Sequence, residues 1–313
     1  MTKIAFLFSG QGAQYVGMGK DLYENFSVAR RIFEQADDSL NFKISNVCFE
    51  GPEDKLKETV NTQPAILTHS MVCFSILKEE GILPDVVAGL SLGEYSALVA
   101  AESLDFDQAV PLVQKRGKYM QEAVPLGSGT MAAILGLDRD AVMEICQQAS
   151  ETGKVEAANF NCPGQIVISG EVKAVEKAVE LAKSRGAKKA MILAVSAPFH
   201  CSLLKPAGEK LARELDRVEI KDTKIPVVSN VNADFTHKAS DIKKLLIKQV
   251  SSPVLWEDSI RKMIESGVDT FVELGPGKVL TGFVKKIDKN LVTLNVEDTE
   301  SLKNTMNYFG RKI

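Results

Sequence analysis

The chain has 313 residues, of which 45% are apolar and 25% charged, and its formal net charge is −3 at pH 7. These proportions are close to the average for soluble globular proteins, and the length suits one large domain with a smaller one. The low net charge excludes a strongly basic nucleic-acid-binding face and a polybasic membrane anchor. We also expect no signal peptide and no membrane span, because no apolar run is long enough.

The first hundred residues predict alternating strands and helices, in which short apolar runs indicate strands and helical spacing indicates helices. A polar, glycine-rich turn at residues 9–14 follows the first strand. Pro64 is expected in the first turn of its helix, where a proline is tolerated. The predicted elements are a strand at Ile4–Phe8, helices at 21–40 and 62–80, a strand at Val86–Gly89 and a helix at 93–101.

The middle of the chain shows a different order of elements, β-α-β-β-α-β, which is the ferredoxin-like unit. It is bounded by two spots rich in glycine, proline and serine, at residues 125–129 and 196–198, which suit the crossing points of an inserted domain. We therefore predict a small domain at 127–196 inside a large α/β domain formed by 1–126 and 197–313. The predicted elements are strands at 130–137, 155–159, 165–169 and 189–195, and helices at 139–150 and 172–185.

A nucleophile is predicted at Ser91, the centre of a G-x-S-x-G pattern at residues 89–93 (GLSLG). A strand precedes the pattern and a helix follows it, which is the context of a nucleophile elbow. The two glycines permit a sharp turn, and the start of the helix directs N–H groups at an anion formed there. The alternative is a helix cap without chemistry.

A serine nucleophile needs a base, and the chain holds three histidines. His69 lies in a predicted helix among apolar residues and suits a core position. His237 lies in a polar stretch and suits the surface. His200 ends a passage from strand to loop, where α/β folds place catalytic groups, and it is therefore the best candidate.

Nine segments together resemble the bacterial malonyl-CoA:acyl-carrier-protein transacylases, and the resemblance covers nearly the whole chain. Each segment is weak alone, but their common order and spacing make the resemblance specific. The segments are residues 8–14 (FSGQGAQ), 62–65 (TQPA), 89–98 (GLSLGEYSAL), 114–117 (QKRG), 159–165 (NFNCPGQ), 196–200 (SAPFH), 248–250 (KQV), 253–256 (PVLW) and 273–277 (ELGPG).

The resemblance implies a malonyl transfer from malonyl-CoA to holo acyl carrier protein, through an ester on Ser91 with His200 as base. It also implies an α/β-hydrolase-like large domain with a ferredoxin-like insertion, in a monomeric cytoplasmic enzyme. The resemblance further implies an oxyanion hole formed by the backbone N–H groups of Gln11 and Leu92, and binding of the malonyl carboxylate by Arg116. It also implies that a backbone carbonyl at Gln249 supports His200, and Gln249 is counted with the substrate-binding residues as well.

Two further residues bear on specificity and rate. Phe199 directly precedes His200, and in related acyltransferases a Phe-His pair at this place accompanies specificity for malonyl groups. The bulky ring leaves little room for an α-methyl branch on the acyl group. Leu90 departs from the family, which usually has histidine before the nucleophile. Arg116 stands four residues from both Leu112 and Met120, so it projects from an apolar helix face, as a ligand clamp or a structural ion pair would.

Three other functions are weighed against this one. A serine acyl hydrolase that clears carrier-bound groups would use the same elbow, with an acid such as Asp138, Asp140 or Glu156. An acyltransferase of polyketide synthesis would use the same chemistry, and a non-catalytic docking subunit would not need the intact site. The turn at 9–14 lacks the Lys-Ser/Thr ending of a P-loop, which argues against nucleotide binding. We expect no cofactor and no metal, since the histidines are scattered and the five cysteines have no CxxC pair, which indicates reduced thiols.

Overall fold

The computed structural model describes residues 2–195 and 197–311, so the predicted domain ends at residues 1, 196 and 313 lie outside the described residues. Two short 3₁₀ turns, Ser150–Thr152 and Ser202–Leu204, accompany the regular elements. No helix within the described ranges is both long enough and apolar enough to cross a membrane. In chain order the elements are β1 (Ile4–Phe8), α1 (Lys20–Asn25), α2 (Ser27–Leu40), α3 (Ile44–Glu50), α4 (Glu53–Lys57), α5 (Thr59–Glu79), β2 (Val86–Gly89), α6 (Gly93–Ala100), α7 (Phe106–Glu122), β3 (Gly129–Leu135), α8 (Arg139–Ala149), β4 (Val155–Cys162), β5 (Gln165–Glu171), α9 (Val172–Ser184), β6 (Lys189–Ile192), α10 (Lys205–Leu215), β7 (Val227–Val228), β8 (Phe235–Thr236), α11 (Ala239–Gln249), α12 (Trp256–Glu265), β9 (Thr270–Leu274), α13 (Val279–Ile287), β10 (Val292–Val296) and α14 (Thr299–Tyr308).

The larger sheet has the strand order β10-β9-β1-β2-β7-β8. All its neighbouring strands pair in parallel except β7 and β8, which are antiparallel. Both faces are covered, since Phe6 and Phe8 of β1 pack into one apolar cluster while Ala5 and Leu7 pack into another. A strand buried on both faces must be apolar throughout, which explains the uninterrupted run at Ile4–Phe8.

The smaller sheet has the order β4-β5-β3-β6, and every pair in it is antiparallel. Its elements follow one another as β-α-β-β-α-β, in the predicted order. Helices α8 and α9 pack against each other and against this sheet, around an apolar cluster of their own. Strand β4 also contacts the rest of the chain, where the N–H of Val254 donates to the carbonyl of Ala158 at 2.9 Å.

Several boundaries differ from the predictions. Strand β6 ends at Ile192 instead of 195, β3 ends at Leu135 instead of 137, and β5 continues to Glu171 instead of ending at 169. The single helix predicted at 21–40 was wrong, because Phe26 is extended (φ −123°, ψ 127°) and separates α1 from α2. The Arg30 guanidinium donates to the carbonyls of Tyr23 and Glu24, both at 3.0 Å, and so satisfies the end of α1. Strand β4 continues to Cys162, beyond the predicted end at 159.

Pro64 does not lie in the first turn of its helix, because α5 begins at Thr59 instead of 62. Two side chains tie this earlier start to the preceding segment. Asn61 donates to the carbonyl of Lys55 at 2.9 Å, and Thr62 donates to that of Leu56 at 2.6 Å. The helix therefore includes a proline in its second turn, where the proline ring supplies no N–H for the helical ladder.

Candidate active site

Ser91 stands at a sharp turn between β2 and α6, with a positive φ of 55°. The turn is possible because the glycines on either side let the backbone segments touch. A Cβ on Gly89 would lie 1.9 Å from the carbonyl carbon of Gly93, and one on Gly93 would lie 2.1 Å from the carbonyl oxygen of Phe8. Both glycines of the G-x-S-x-G pattern are therefore required by packing, and they hold Ser91 at the carboxyl edge of the parallel strands.

His200 contacts Ser91 directly, with 2.7 Å between its Nε2 and the serine Oγ. Its other nitrogen, Nδ1, lies 3.0 Å from the backbone carbonyl of Gln249. A carbonyl only accepts, so Nδ1 carries the proton and the lone pair of Nε2 faces the hydroxyl. Burial, together with the charge of Arg116, lowers the pKa of His200 to about 4. The imidazole is therefore neutral near pH 7 and able to accept a proton.

Arg116 projects from α7 into the same place and is 1% exposed. Its Nη2 donates to Ser91 Oγ at 3.1 Å and to Gln249 Oε1 at 3.0 Å, and its Nη1 donates to Gln63 Oε1 at 2.9 Å. All three acceptors are uncharged. Burial lowers the pKa of the guanidinium, but an arginine stays charged in a protein. The site thus holds a buried cation beside the serine hydroxyl, with neutral hydrogen-bond partners.

The turn at Ser91 is supported from behind by three buried polar side chains, those of Gln249, Asn230 and Glu94. The Gln249 amide donates to the carbonyl of Ser91 at 3.0 Å and to Glu94 Oε2 at 2.8 Å. Asn230 accepts from the N–H of Ser91 at 2.6 Å and donates to the carbonyl of Gly89 at 2.7 Å. Glu94 is 2% exposed, and its burial raises the pKa of its carboxyl to about 7. These contacts hold Ser91 in its unfavourable backbone conformation.

A cleft of about 760 Å³ opens in front of the serine. One side of the cleft is lined by the turn after β1 and by the start of α13. The other side is lined by residues of β3, β4 and β5 in the smaller sheet. The lining is mostly apolar, with several neutral polar groups and three ionisable side chains besides His200, those of Lys57, Arg116 and Glu273. Residues that line it include Gln11, Leu90, Ser91, Arg116, Met131, Asn159, Asn161, Val167, Phe199, His200, Val279 and Phe283.

The site residues predicted from the sequence fall into three groups: a hydrogen-bonded group around Ser91, Phe199 in the wall of the cleft, and two residues beside the serine. Ser91, His200, Arg116 and Gln249 are in mutual hydrogen-bond contact, although Gln249 is fully buried behind the serine. Phe199 is 7% exposed and lines the cleft beside His200.

Gln11 and Leu92 flank the serine. Gln11 follows Gly10, where a Cβ would lie 2.5 Å from the carbonyl oxygen of Leu90, so this turn packs directly on the elbow. Leu92 stands at the start of α6, where N–H groups have no partner within the helix. The Gln11 side chain itself is turned towards Thr59.

The other two histidines lie elsewhere. His69 is fully buried and bonded to the carbonyl of Glu297, and His237 is bonded to Thr223 in an exposed contact.

Sequence reasoning missed three residues of the site, Gln63, Glu94 and Asn230. The first two lie in segments that carry the family resemblance, but only their contacts reveal that they hold Arg116 and Gln249. Asn230 follows β7 in a stretch to which no element was assigned, and no local pattern marks it.

The acyl transferase domain family matches residues 5–303, nearly the whole chain. The chain therefore belongs to this family, and it is an acyltransferase.

Individual relatives show to which group of acyltransferases the chain is most similar. A "Malonyl CoA-acyl carrier protein transacylase" of Bacillus subtilis (strain 168) is 55% identical over 304 residues, which cover 97% of this chain and 96% of that protein. A crystal structure of a malonyl CoA-acyl carrier protein transacylase from Clostridium perfringens superposes with a TM-score of 0.96 at 49% identity, covering 99% of this chain and 98% of the other. A structure of a type II PKS acyl-carrier protein in complex with its malonyl-transacylase gives 0.96 at 43% identity, covering 98% and 100%. Within the family the chain thus belongs with the malonyl CoA-acyl carrier protein transacylases, and the predicted resemblance is confirmed.

Proposed function

We propose that the chain transfers a malonyl group from malonyl-CoA to the phosphopantetheine thiol of holo acyl carrier protein, through an ester on Ser91. The observation that carries this proposal is the buried guanidinium of Arg116, 3.1 Å from the nucleophile and bonded to neutral acceptors. A cation so placed suits an acyl group that ends in a carboxylate, which a guanidinium binds with two parallel hydrogen bonds. The names of the relatives support the same donor and acceptor.

In the first half-reaction Ser91 Oγ attacks the thioester carbonyl carbon while its proton passes to His200 Nε2. The tetrahedral intermediate then collapses. The carbon–sulfur bond breaks, and CoA leaves as its thiol with the proton from His200, so that the malonyl group remains as an ester. The neutral imidazole and its 2.7 Å contact with Oγ support this role. The carbonyl of Gln249 keeps the proton on Nδ1 and stabilises the imidazolium that forms.

The negative charge of the tetrahedral intermediate needs donors that are already in place. We assign these to the backbone N–H groups of Gln11 and Leu92. The close packing of Gly10 on Leu90 and the position of Leu92 at the start of α6 support the assignment. Loss of one preorganised donor of this kind typically costs ~10²–10³ in rate.

In the second half-reaction the carrier thiol gives its proton to His200 and attacks the ester carbon. The ester bond to Ser91 breaks, and the serine recovers the proton from His200. Both half-reactions therefore use the same groups, with CoA and the carrier thiol exchanging places. Fatty-acid synthesis is the pathway we propose for the product.

The shape of the cleft bears on the choice of acyl group. Phe199 is almost fully buried beside His200 and lines the cleft. We propose that its ring disfavours an α-methyl branch, as in methylmalonyl donors. Discrimination of a single methyl group is worth only about 1–3 kcal/mol, so this preference is expected to be moderate.

We further propose that residues 1–126 and 197–313 form an α/β-hydrolase-like domain and that 127–196 form a ferredoxin-like inserted domain. The separate apolar cluster under α8 and α9 and the antiparallel order of the smaller sheet support this division. Five free, buried cysteines support a reducing, cytoplasmic setting, and we propose a monomer.

The test is the intact mass of the protein after incubation with malonyl-CoA, beside that of Ser91→Ala. We expect a malonyl adduct on the unaltered protein alone, and its loss on addition of holo carrier protein. Steady release of malonate without an adduct would favour the acyl hydrolase instead. To distinguish the two pathways, carrier proteins of fatty-acid synthesis and of polyketide synthesis are compared as acceptors of the same malonyl adduct. The polyketide carrier is included because one relative was found in complex with a type II PKS acyl-carrier protein.

A further inference from the structure

The Gln249 side-chain amide stands between the guanidinium of Arg116 and the carboxyl of Glu94. Its oxygen, Oε1, accepts from Arg116 Nη2 at 3.0 Å. Its nitrogen, Nε2, donates to Glu94 Oε2 at 2.8 Å and to the carbonyl of Ser91 at 3.0 Å. The nitrogen also donates to Asn230 Oδ1 at 3.4 Å, and because the amide is fully buried, these groups together decide how it is oriented.

The orientation matters because the two ends of an amide are not equivalent. The oxygen only accepts and the NH₂ group only donates, whereas a guanidinium has no acceptor at all. A rotation of the amide by 180° would place donors against Arg116 and an acceptor against Glu94 and the Ser91 carbonyl. Glu94 and that carbonyl therefore ensure that Arg116 meets an oxygen.

Glu94 is itself well held. Its Oε2 also accepts from the backbone N–H of Asn230 at 3.1 Å, and the side chain is 2% exposed. Burial raises the pKa of its carboxyl to about 7, but Oε2 accepts hydrogen bonds whether or not the other oxygen is protonated. The orienting effect thus depends on an acceptor at this position and not on full ionisation.

We infer that Glu94 is a positioning residue for donor selectivity, which aims Arg116 at the acyl carboxylate by fixing the Gln249 amide. This inference rests on the proposed function, since it assumes that Arg116 binds that carboxylate. Loss of Glu94 removes the shortest contact of the amide nitrogen and leaves those with the Ser91 carbonyl at 3.0 Å and Asn230 Oδ1 at 3.4 Å. Gln249 then holds Arg116 Nη2 less firmly beside Ser91 Oγ. Donors that end in a carboxylate depend on this placement, whereas an acetyl donor has no group for Arg116 to bind.

The experiment measures the rate of Ser91 acylation by malonyl-CoA and by acetyl-CoA, and takes the ratio of the two second-order rate constants. Glu94→Ala removes the acceptor, and Glu94→Gln restores one, because its amide oxygen occupies the place of Oε2. We expect Glu94→Ala to lower the ratio about tenfold, the lower end of what a hydrogen bond to a charged group contributes, and Glu94→Gln to stay within about threefold of the unaltered protein.

Glu273 provides the matched control. It is 1% exposed, burial raises the pKa of its carboxyl to about 7, and its oxygens accept from the N–H groups of Leu280 and Thr281. Glu273 also lines the cleft, but it contacts the start of α13 and makes no hydrogen bond to Gln249. Glu273→Ala therefore removes an equally buried carboxyl without changing the contacts of the Gln249 amide. Both acylation rates are expected to fall together, with the ratio unchanged.

An equal fall of both rates in Glu94→Ala, as in the control, would overturn the inference, and so would a Glu94→Gln ratio as low as that of Glu94→Ala. If Glu94→Ala fails to fold, judged by its thermal unfolding, Gln249→Met replaces it. This variant removes the amide, keeps the backbone carbonyl that His200 needs, and must show the same tenfold loss of selectivity. Absence of any malonyl adduct on the unaltered protein would instead overturn the proposed function and this inference with it.

Discussion

His69 and His200 lie in different parts of the chain and yet have closely similar environments. Both are buried, at 0% and 4% exposure, and burial lowers the pKa of each to about 4. Each also has one ring nitrogen against a backbone carbonyl, that of Glu297 for His69 at 2.9 Å and that of Gln249 for His200 at 3.0 Å. Neither burial nor a lowered pKa therefore separates a base from a core histidine.

What separates them is the second ring nitrogen. In His200 this nitrogen lies 2.7 Å from a serine hydroxyl at the floor of a cleft. In His69 the corresponding atom, Nδ1, has no hydrogen-bond partner among the residues described, and the ring is enclosed within α5. The element that carries each histidine explains the contrast. A loop after a strand brings His200 to the sheet edge, whereas the middle of an apolar helix keeps His69 inside the core.

The largest difference between the two histidines is expected when each is removed. His200→Ala takes away the group proposed to accept the serine proton, and acylation of Ser91 by malonyl-CoA should fall by about 10²–10⁴-fold. His69→Leu serves as the matched variant and should acylate at nearly the original rate. Stopped samples read by intact mass give both rates. Comparable losses in the two variants would mean that the contact with Ser91 does not identify the base.

Removal of the cation beside His200 should have the next largest effect. Arg116→Ala is expected to slow acylation by malonyl-CoA about 10–100-fold, because a hydrogen-bonded charge contributes roughly 1.5–3 kcal/mol. Arg116→Lys should fall between this variant and the unaltered protein, since lysine keeps the charge without the planar fork. The control is Arg261→Ala, an exposed arginine bonded to Glu257. A malonyl rate that survives in Arg116→Ala would contradict the carboxylate-binding role.

The lowered pKa of His200 predicts the pH dependence of acylation. The neutral base persists until the pH falls to about 4, instead of being lost near the ordinary value of 6.5. At pH 5.5 the rate should therefore remain close to its value at pH 7, whereas an ordinary histidine would be about 90% protonated and the rate about tenfold lower. Rates measured between pH 4.5 and 8 test this expectation in the unaltered protein and in Glu94→Gln, which lacks the nearby carboxyl with a pKa of about 7. An inflection near 6.5 that persists in Glu94→Gln would refute it.

The smallest effect on activity is expected at His69, where the consequence is for stability. His69→Leu leaves the buried carbonyl of Glu297 without its donor and should cost about 1–3 kcal/mol in the free energy of unfolding. His69→Gln keeps a donor near the Nε2 position and should cost less. Denaturant unfolding measures both, and equal costs would show that the hydrogen bond contributes little.

The same histidine gives stability a defined pH dependence. Its pKa is lower in the folded protein than in the unfolded chain, so the unfolded chain binds the extra proton between pH 6.5 and about 4. Stability from this group is therefore complete above pH 6.5 and is lost as the pH falls towards 4. His69→Gln should remove this part of the slope.

Much of the site could be predicted from the sequence where its determinants are local. The elbow is defined by five consecutive residues, and Ser91 lies where those residues place it. Arg116 was assigned from the family resemblance, and helix spacing placed it only on an apolar face, which the burial of Leu112 and Met120 on α7 agrees with. Asn230 and Glu94 could not be found in this way, since their contacts with Ser91 and Gln249 join segments more than a hundred residues apart.

The fold shows the same limit. The order of strands and helices follows from apolar spacing, but the end of α1 depends on Arg30, a side chain of the next helix. The earlier start of α5 depends on side chains that reach back to the preceding segment. Such boundaries are set by individual hydrogen bonds that periodicity does not record.

Ser91 and His200 both have a positive φ, 55° and 60°, a conformation that glycine adopts without steric cost and other residues do not. Replacement of either by glycine would therefore relieve local strain, even though it would remove the chemistry. The two side chains that the proposed reaction needs are therefore held at a conformational cost, which the hydrogen bonds to Asn230 and Gln249 around them must offset.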